Sequence, residues 1–232
     1  MLSERRVLIA ALVLNASFLA SQMRGGTILG KVTDTANHPV PSAVITISEE
    51  PASLSVPPAM HGASTRTAFD GTFAFGNLEA GTYLLCAQLP RGTLLNPCQW
   101  TTTLPHVTIG SATATTPVTL TMRPGYRLPI RVNDPQGLLN ANEGKTPGAH
   151  LLIGVHGGYH FEMADIDSAD AAGRNVSVLV PFDVAVAVSV QSRFFQVQDA
   201  AGNAVKNAVA LPVTVRSAAP SASLSIKVVG HN

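Results

Sequence analysis

Short alternating runs of apolar and polar residues, separated by turn residues, constrain this chain more than any other feature. The stretch FDGTFAFGNLEAGTYLLCAQL, residues 69–89, shows the pattern best, with an Asp-Gly turn, an alternating run, a second glycine turn and a longer apolar run. Period-two alternation is typical of half-buried β-strands, and frequent turns are typical of short antiparallel strands. Beyond the first twenty residues, no segment sustains the 3.6-residue apolar period of a helix. The sequence therefore predicts an all-β fold.

The distinctive residues of this stretch have predicted folding roles. The Asp-Gly pair at 70–71 supplies a turn that needs the positive φ available to glycine. Phe73 and Phe75 lie two positions apart, so both are expected on one strand face, filling a core. Tyr83 follows a second glycine turn, and its hydroxyl is expected to bond to the backbone while its ring packs. The stretch is therefore interpreted as scaffold.

The pattern divides the chain into two halves. Alternation stops near Met122 and restarts at Tyr126, with Pro124 and Gly125 between them. Because proline fixes φ and lacks an N–H, and glycine relaxes the chain, no strand is expected to run through this point. Each side has about 100 residues, enough for one seven-stranded sandwich.

The expected fold is therefore two consecutive antiparallel β-sandwiches, at residues 22–123 and 126–232. A single merged sandwich is the alternative. A weak internal repeat keeps it open, because VTDTANHPVPSAV (residues 32–44) is echoed by VQDAAGNAVKNAV (residues 197–209). Generic hairpin chemistry would also explain the echo. Residues 49–63 are rich in proline and are expected to form a loop between two strands.

The first 21 residues are expected to be a secretory signal peptide. MLSERR is a short basic start, VLIAALVLNASFLA is an apolar run, and cleavage is expected near Ala20 or Ser21. An uncleaved N-terminal anchor is the alternative. The mature chain has no stretch long and apolar enough to be read as a membrane span. We therefore expect a chain that is exported to the periplasm, the outer envelope or the medium.

Net charge and composition limit the classes of partner that the chain is expected to bind. The formal net charge is +1, and it falls to 0 without residues 1–20, because two arginines and one glutamate are lost. A neutral chain has no electrostatic footprint for nucleic acid or for an anionic membrane surface. Hydrophobic residues make up 46% of the chain, so it can bury a core although only 12% of its residues are charged. A glycan or an envelope protein is the expected partner, and the sequence indicates no oligomeric state.

Cys86 and Cys98 are the only cysteines of the chain. An even number of cysteines in an exported chain favours a disulfide, and the intervening segment, AQLPRGTLLNP, contains turn residues. Closing a loop of this size stabilises a fold by about 3 kcal/mol. Two free buried thiols are the alternative. A metal site is not expected, because two cysteines do not complete a tetrahedral ligand set.

Four motifs of the first half resemble those of the carboxypeptidase regulatory-like domain. They stand at Gly30, Val32 and Asp34; at Pro39, Ala43 and, with looser spacing, Val44; at Asp70, Gly71 and Phe73; and at Leu78, Gly81 and Tyr83. The resemblance covers about residues 26–122, less than half of the chain. It implies a transthyretin-like sandwich of seven strands in an exported bacterial protein, where paired cysteines pin the loop after the Tyr83 strand. It implies nothing specific about function.

The segment HLLIGVHGGYHFE is the best candidate for a metal site. His150, His156, His160 and Glu162 all have even numbers, so a regular strand would place them on one face. Neutral imidazoles and a carboxylate suit zinc. The glycine pair at 157–158 breaks the regularity and favours a surface hairpin instead. The segment also resembles the oxyanion strip of lipases, but the chain has no Gly-x-Ser-x-Gly elbow, which argues against a hydrolase.

An acidic cluster overlaps this segment, with Glu162, Asp165, Asp167 and Asp170 in EMADIDSAD. Oxygen-rich loops of this kind bind calcium, but the spacing departs from the EF-hand pattern, because Ala169 stands where a third ligand is due. The sequence therefore favours a solvated acidic loop.

Aromatic side chains are the remaining candidates for a binding surface. They make up 5% of the chain, and Trp100 is its only tryptophan. Since an exposed ring face stacks on the apolar C–H groups of a sugar, Trp100 and Tyr159 are the candidate glycan contacts. Packing of Trp100 on the disulfide is the alternative. The resulting prediction is a non-catalytic exported module, binding or structural, without a cofactor; a metal protein or hydrolase built on residues 150–162 is the alternative.

Overall fold

The structure, a computed structural model, describes residues 25–49, 62–101, 103–111, 114–157, 160–205 and 208–231. The predicted signal peptide and most of the proline-rich segment lie outside the described residues. In chain order the elements are β1 (Gly26–Asp34), β2 (Val44–Glu49), β3 (Ala63–Arg66), β4 (Thr72–Leu78), β5 (Gly81–Gln88), β6 (Leu94–Leu95), α1 (Pro97–Trp100), β7 (His106–Ile109), β8 (Thr115–Pro124), β9 (Tyr126–Asn133), α2 (Leu138–Asn142), β10 (Leu152–Gly157), β11 (His160–Met163), β12 (Asp165–Asp170), β13 (Gly173–Val180), β14 (Ala185–Gln191), β15 (Phe195–Asp199), β16 (Ala204–Val205), β17 (Ala208–Thr214) and β18 (Leu224–His231). The all-β prediction is confirmed.

The first sandwich consists of two four-stranded sheets, with the strand orders β4-β1-β8-β6 and β3-β2-β5-β7. Alternate residues of each strand point into the space between the sheets, as the period-two pattern predicts. Ile28 of β1, Ile45 of β2 and Leu85 of β5 are fully buried there. Together with Phe73 and Phe75 they belong to one apolar cluster.

The residues interpreted as scaffold take the predicted positions. Gly71 has a φ of +79°, in the region that favours glycine. The rings of Phe73 and Phe75 meet edge to face inside the core, with centroids 6.0 Å apart. The hydroxyl of Tyr83 donates to the carbonyl oxygen of Glu79 at 3.0 Å while its ring is buried. This part of the chain therefore forms the frame of the first sandwich.

The second sandwich pairs a four-stranded sheet, β11-β10-β14-β17, with a six-stranded sheet, β12-β13-β9-β18-β15-β16. Leu128, Ile130 and Val132 alternate along β9 and are at most 1% exposed, as the pattern in YRLPIRV predicts. They lie in a second apolar cluster whose buried members come from residues 128–228. None of the described strands of one half joins a sheet of the other half, so the described part of the chain forms no merged sandwich.

Strand direction differs from the expected antiparallel arrangement at two places. β1 and β8 pair in parallel, and so do β9 and β18. Alternation along a strand indicates which residues face the core, but it carries no information about the direction of the neighbouring strand. The parallel pairs were therefore not predictable from the pattern.

The boundary between the sandwiches is shorter than predicted. β8 continues past Met122 to Pro124, and only Gly125 separates it from β9. The expectation that the strand stops near Met122 is therefore wrong by two residues. Arg123 and Pro124 remain extended because β6 pairs with them through Leu95 and Leu94.

The internal repeat has a structural basis in two matching turns. One carboxylate oxygen of Asp34 accepts from the backbone N–H groups of Ala36 and His38, at 2.8 and 2.9 Å. One oxygen of Asp199 likewise accepts from Ala201 and Asn203, both at 2.9 Å. This aspartate turn is a local device that follows a strand in either half, which is the generic hairpin chemistry considered above.

Because the two apolar cores are separate, the prediction of two independent domains can be tested on a fragment. We expect residues 22–123 to fold alone, because their cluster is complete before residue 123. Circular dichroism of this fragment should show an all-β spectrum with one cooperative melting transition. An unfolded fragment, or one that aggregates under conditions where the full chain stays monomeric, would show that the first half needs the second.

Candidate functional site

The predicted disulfide is present and closes the loop after β5. Cys86 of β5 is bonded to Cys98 of α1, with their Cα atoms 5.4 Å apart. α1 begins where Asn96 caps it, since its side-chain oxygen accepts from the N–H of Cys98 at 2.9 Å, and Pro97 stands in the first turn. Cys98 itself is fully buried. The disulfide thus holds α1 against the first sandwich.

The C-terminal end of α1 is buried against the second sandwich. Gln99 is 2% exposed, and its Nε2 donates to the carbonyl oxygen of Val155 in β10 at 3.3 Å. A Cβ atom placed on Gly157 would lie 2.5 Å from Cγ of Gln99 and 3.1 Å from Cε3 of Trp100. Trp100 also packs against the core cluster of the second sandwich. Only glycine at position 157 therefore allows α1 to sit this close to β10.

Two further contacts join the halves beside α1. The N–H of Gly125 donates to the carbonyl oxygen of Thr93 at 2.7 Å. Nη1 of Arg127 donates to the carbonyl oxygen of Gly92 at 3.2 Å, while the same guanidinium bonds to the hydroxyl of Ser177. We call the set formed by residues 92–93, α1, Gly125, Arg127 and β10 the joint. Every first-half member of the joint lies within or directly after the disulfide-closed segment.

A cleft of about 390 Å³ opens on the first-sandwich side of Trp100. Its walls are apolar and polar residues of the β6–α1 region, the segment after α1, β7 and β8; they include Leu95, Pro97, Trp100, Leu104, Pro105, His106, Thr119, Leu120, Thr121 and Arg123. The indole Nε1–H of Trp100 is buried and has no hydrogen-bond partner in the part of the chain that the structure describes. The volume falls within the range of about 300–1,000 Å³ of ligand pockets. The other candidate aromatic, Tyr159, lies outside the described residues.

The predicted metal ligands lie on and beside the β10–β11 hairpin. His150 precedes β10 and is exposed. His156 pairs with Phe161, and the neighbouring pair is Val155 with Glu162. Since directly paired residues share a face and successive residues alternate, His156 and Glu162 lie on opposite faces of the hairpin. The single-face arrangement of a regular strand is therefore not formed.

The ring of His156 stacks obliquely on Phe161, with centroids 4.7 Å apart. Residue 160 pairs with Gly157 through the backbone. Within the described residues, no group of three or more His, Cys, Asp or Glu side chains is placed to hold a metal ion. A zinc site on His156, His160 and Glu162 thus remains a prediction. Two of these residues, His156 and Glu162, lie on opposite faces of the hairpin.

Glu162 occupies the inner face of the hairpin, and its environment changes its acidity. Burial, with a smaller contribution from the nearby negative charge of Asp165, raises its pKa from the ordinary 4.5 to about 7, although the cation of Arg127 acts in the opposite direction. Arg127 forms an ion pair with Asp165, so its positive charge is not available to Glu162 alone. The joint therefore has an acidic group beside it that titrates near neutral pH.

This raised pKa predicts a pH dependence of stability. A carboxyl group that binds its proton more tightly in the folded state adds stability when protonated, so the free energy of unfolding should fall as pH rises from about 4.5 to about 7. Glu162→Gln should flatten this slope relative to the parent chain in urea titrations at a series of pH values. Glu79→Gln, at an exposed position, should leave the slope unchanged. Equal slopes in all three proteins would contradict the assignment.

The acidic cluster forms a strand rather than the expected loop. Residues 165–170 make up β12, which pairs with β13. Asp165 is paired with Arg127, and Asp170 forms a two-pronged ion pair with Arg131 at 2.8 and 2.9 Å. The expectation of a loop is therefore wrong, although the segment is largely exposed to solvent as expected. Arginines of β9 pair with Asp165 and Asp170 across β13. Alternating polar residues on both faces hid the strand from a search for apolar periodicity.

The fold and the joint define a protein of two linked β-sandwiches, and comparison with known families assigns the first of them. Residues 27–123 match the family model of the carboxypeptidase regulatory-like domain. The chain therefore contains a carboxypeptidase regulatory-like domain, which is its first sandwich. The search of curated proteins finds no match. In the described residues, none of the helices is long and apolar enough to cross a membrane.

Several solved structures resemble the chain at low identity. A streptococcal ancillary pilin is 10% identical over 90% of this chain and 64% of its own length, with a TM-score of 0.42. A minor pilin of Streptococcus agalactiae is 11% identical over 88% and 97%, with a TM-score of 0.36. A DUF3823 family protein of Bacteroides uniformis is 16% identical over 81% and 98%, with a TM-score of 0.33. At these scores the likeness carries no argument about function.

Proposed function

We propose that this chain is a non-catalytic, exported protein of the cell envelope or extracellular space, in which two β-sandwiches act as one structural and binding unit. The observation that carries the proposal is the joint. The disulfide-closed segment of the first sandwich ends in α1, whose Gln99 is buried against β10 of the second sandwich. A simple flexible linker would need no such contact.

The disulfide supports the export part of the proposal. Disulfides persist in oxidising compartments outside the cytoplasm, and this one closes a short loop with a fully buried Cys98. A signal peptide at residues 1–21 is part of the same proposal. Periplasmic, envelope-associated and secreted locations are all compatible with it.

The binding part of the proposal rests on the cleft at Trp100. Its walls of apolar and polar residues and its unpartnered indole N–H offer a site for a glycan or for a protein segment. No step of catalysis is proposed, since His156 and Glu162, two of the candidate metal ligands, lie on opposite faces of their hairpin.

Expression of residues 1–232 in a bacterium, followed by cell fractionation, tests export. We expect the protein in the periplasmic fraction or the medium, shortened near Ala20 or Ser21, with Cys86 linked to Cys98 in non-reducing mass spectrometry. A C86A/C98A variant controls for the role of the disulfide in folding rather than transport. Retention in the cytoplasm of an intact chain with two alkylatable thiols would refute the proposed location.

A further inference from the structure

We propose that the open edge of β8, together with the Trp100 cleft, binds an extended segment of a partner protein as an added β-strand. This deepens the proposed function and rests on its binding role, choosing a polypeptide over a glycan as the ligand. β6 is the only described strand beside this edge of β8, and it is too short to cover it.

β6 covers only the last two residues of β8. Leu94 pairs with Pro124 and Leu95 with Arg123, antiparallel to β8. After Leu95 the chain leaves the sheet, because Asn96 caps α1 and Pro97 begins it. On the other side β8 is fully paired with β1 from Thr115 to Met122. None of the described strands pairs with residues 115–122 on the β6 side.

The direction of the backbone groups along β8 can be read from its two ends. The carbonyl oxygen of Ala114 accepts from Thr27 of β1, whereas the N–H of Gly125 donates to Thr93 on the β6 side. Backbone groups of alternate residues in a strand point the same way, and the β1–β8 register runs without a shift. The backbone groups of odd-numbered residues therefore point toward the uncovered edge. There, Thr119 and Thr121 each present a backbone N–H and a carbonyl oxygen.

The cleft lies along this uncovered edge. Thr119, Leu120 and Thr121 form part of its wall, and Trp100 and Leu95 stand at the end where β6 leaves the sheet. Main-chain hydrogen bonds to an open edge and a pocket for a side chain are the two requirements for recognition by strand addition. Both are met at one place here.

The unpartnered indole adds a third observation. A buried N–H without a hydrogen-bond partner is unfavourable, because it has lost its bond to water and gained none in return. Trp100 lines the cleft, so a small movement of its ring would let Nε1–H donate to a carbonyl oxygen of the added strand.

Charge defines the chemistry of the partner segment. The described residues that line the cleft include Arg123 and His106 and no aspartate or glutamate. The structure describes no ion pair for Arg123, which is exposed at the end of the open edge. The segment that fits is extended, places an apolar side chain between Leu95 and Leu120, and carries an acidic group beside Arg123.

The experiment uses the chain from residue 22 onward and random 12-residue peptides displayed on phage. A selected peptide is then titrated into the ¹⁵N-labelled chain, whose single tryptophan gives one indole signal. We expect that signal to shift and the amides of Thr119 and Thr121 to become protected from hydrogen exchange. Selected peptides should be rich in extended apolar sequences with an acidic residue.

Three variants and one control variant separate strand addition from other binding. Thr119→Pro removes one outward N–H at the same kind of position that Pro117 already occupies, so it should fold and lose at least about tenfold in peptide affinity. Arg123→Ala should weaken binding about three- to tenfold, whereas Arg193→Ala, on the second sandwich, should not. Trp100→Phe should weaken binding while keeping an apolar ring.

Three results would overturn the proposal. Peptides that bind Thr119→Pro as well as the parent chain would exclude the open edge. Envelope glycan fragments that shift the indole signal when no peptide does would assign the cleft to sugars. A dimer of the chain that Thr119→Pro dissociates would make a second copy the occupant. Export is measured independently by fractionation, so failure of peptide binding and failure of the proposed location are distinguishable.

Discussion

Breaking the Cys86–Cys98 disulfide is expected to lower the free energy of unfolding by about 2–5 kcal/mol. The bond closes a loop with a sequence separation of 12 residues and fixes α1 against β5. Without it the unfolded chain gains freedom, and α1, which is only four residues long, loses its covalent attachment. The joint should loosen as well, because Gln99 and Trp100 belong to α1.

Urea unfolding of the parent chain with and without a reductant measures this effect. The C86A/C98A variant should match the reduced parent chain and should not respond to the reductant. Mass spectrometry must show that the parent chain is fully reduced. Unchanged stability of the fully reduced chain would contradict a stabilising role for the bond.

Substitution of Gly157 by valine is expected to open the joint. The added Cβ would lie 2.5 Å from Cγ and 2.7 Å from the carbonyl oxygen of Gln99, so α1 must move away from β10. Overpacking of this kind costs about 1–3 kcal/mol. Since Trp100 is the only tryptophan, its fluorescence reports on the joint alone. We expect emission to shift to longer wavelength as water reaches the ring.

Gly76→Val is the matched control for this substitution. A Cβ on Gly76 meets no atom within 4 Å, and the residue lies in β4, away from the joint. Its emission spectrum should equal that of the parent chain. If Gly157→Val leaves both the emission and the stability unchanged, the close packing of α1 on β10 is not present in solution.

Local features of the fold were predictable because they depend on neighbouring residues. The alternation in YRLPIRV identifies the buried face of β9, and the glycine at 71 and the ring at Tyr83 carry their own conformational requirements. The disulfide followed from the cysteine count and the short loop. Each of these inferences uses residues that are close in sequence.

Features that depend on residues far apart in the chain were not predicted from the sequence. Gly157 was interpreted as part of a turn in a histidine-rich hairpin, whereas its role is to admit Gln99 and Trp100 from the other sandwich. β12 was missed because two of its three carboxylates are paired with Arg127 and Arg131, which lie far away in the chain. The open edge of β8 follows from where β6 ends, and a two-residue strand leaves no periodic pattern.

The claim that the two sandwiches act as one unit is tested most directly by ¹⁵N relaxation of the chain from residue 22 onward. Rotational correlation times are measured separately for amides of β1–β8 and of β9–β18. If the joint holds the sandwiches together, both sets of amides should give one common correlation time, that of a single body containing both sandwiches. Two different and shorter values, each matching an isolated sandwich, would show that the halves tumble independently and would contradict the account.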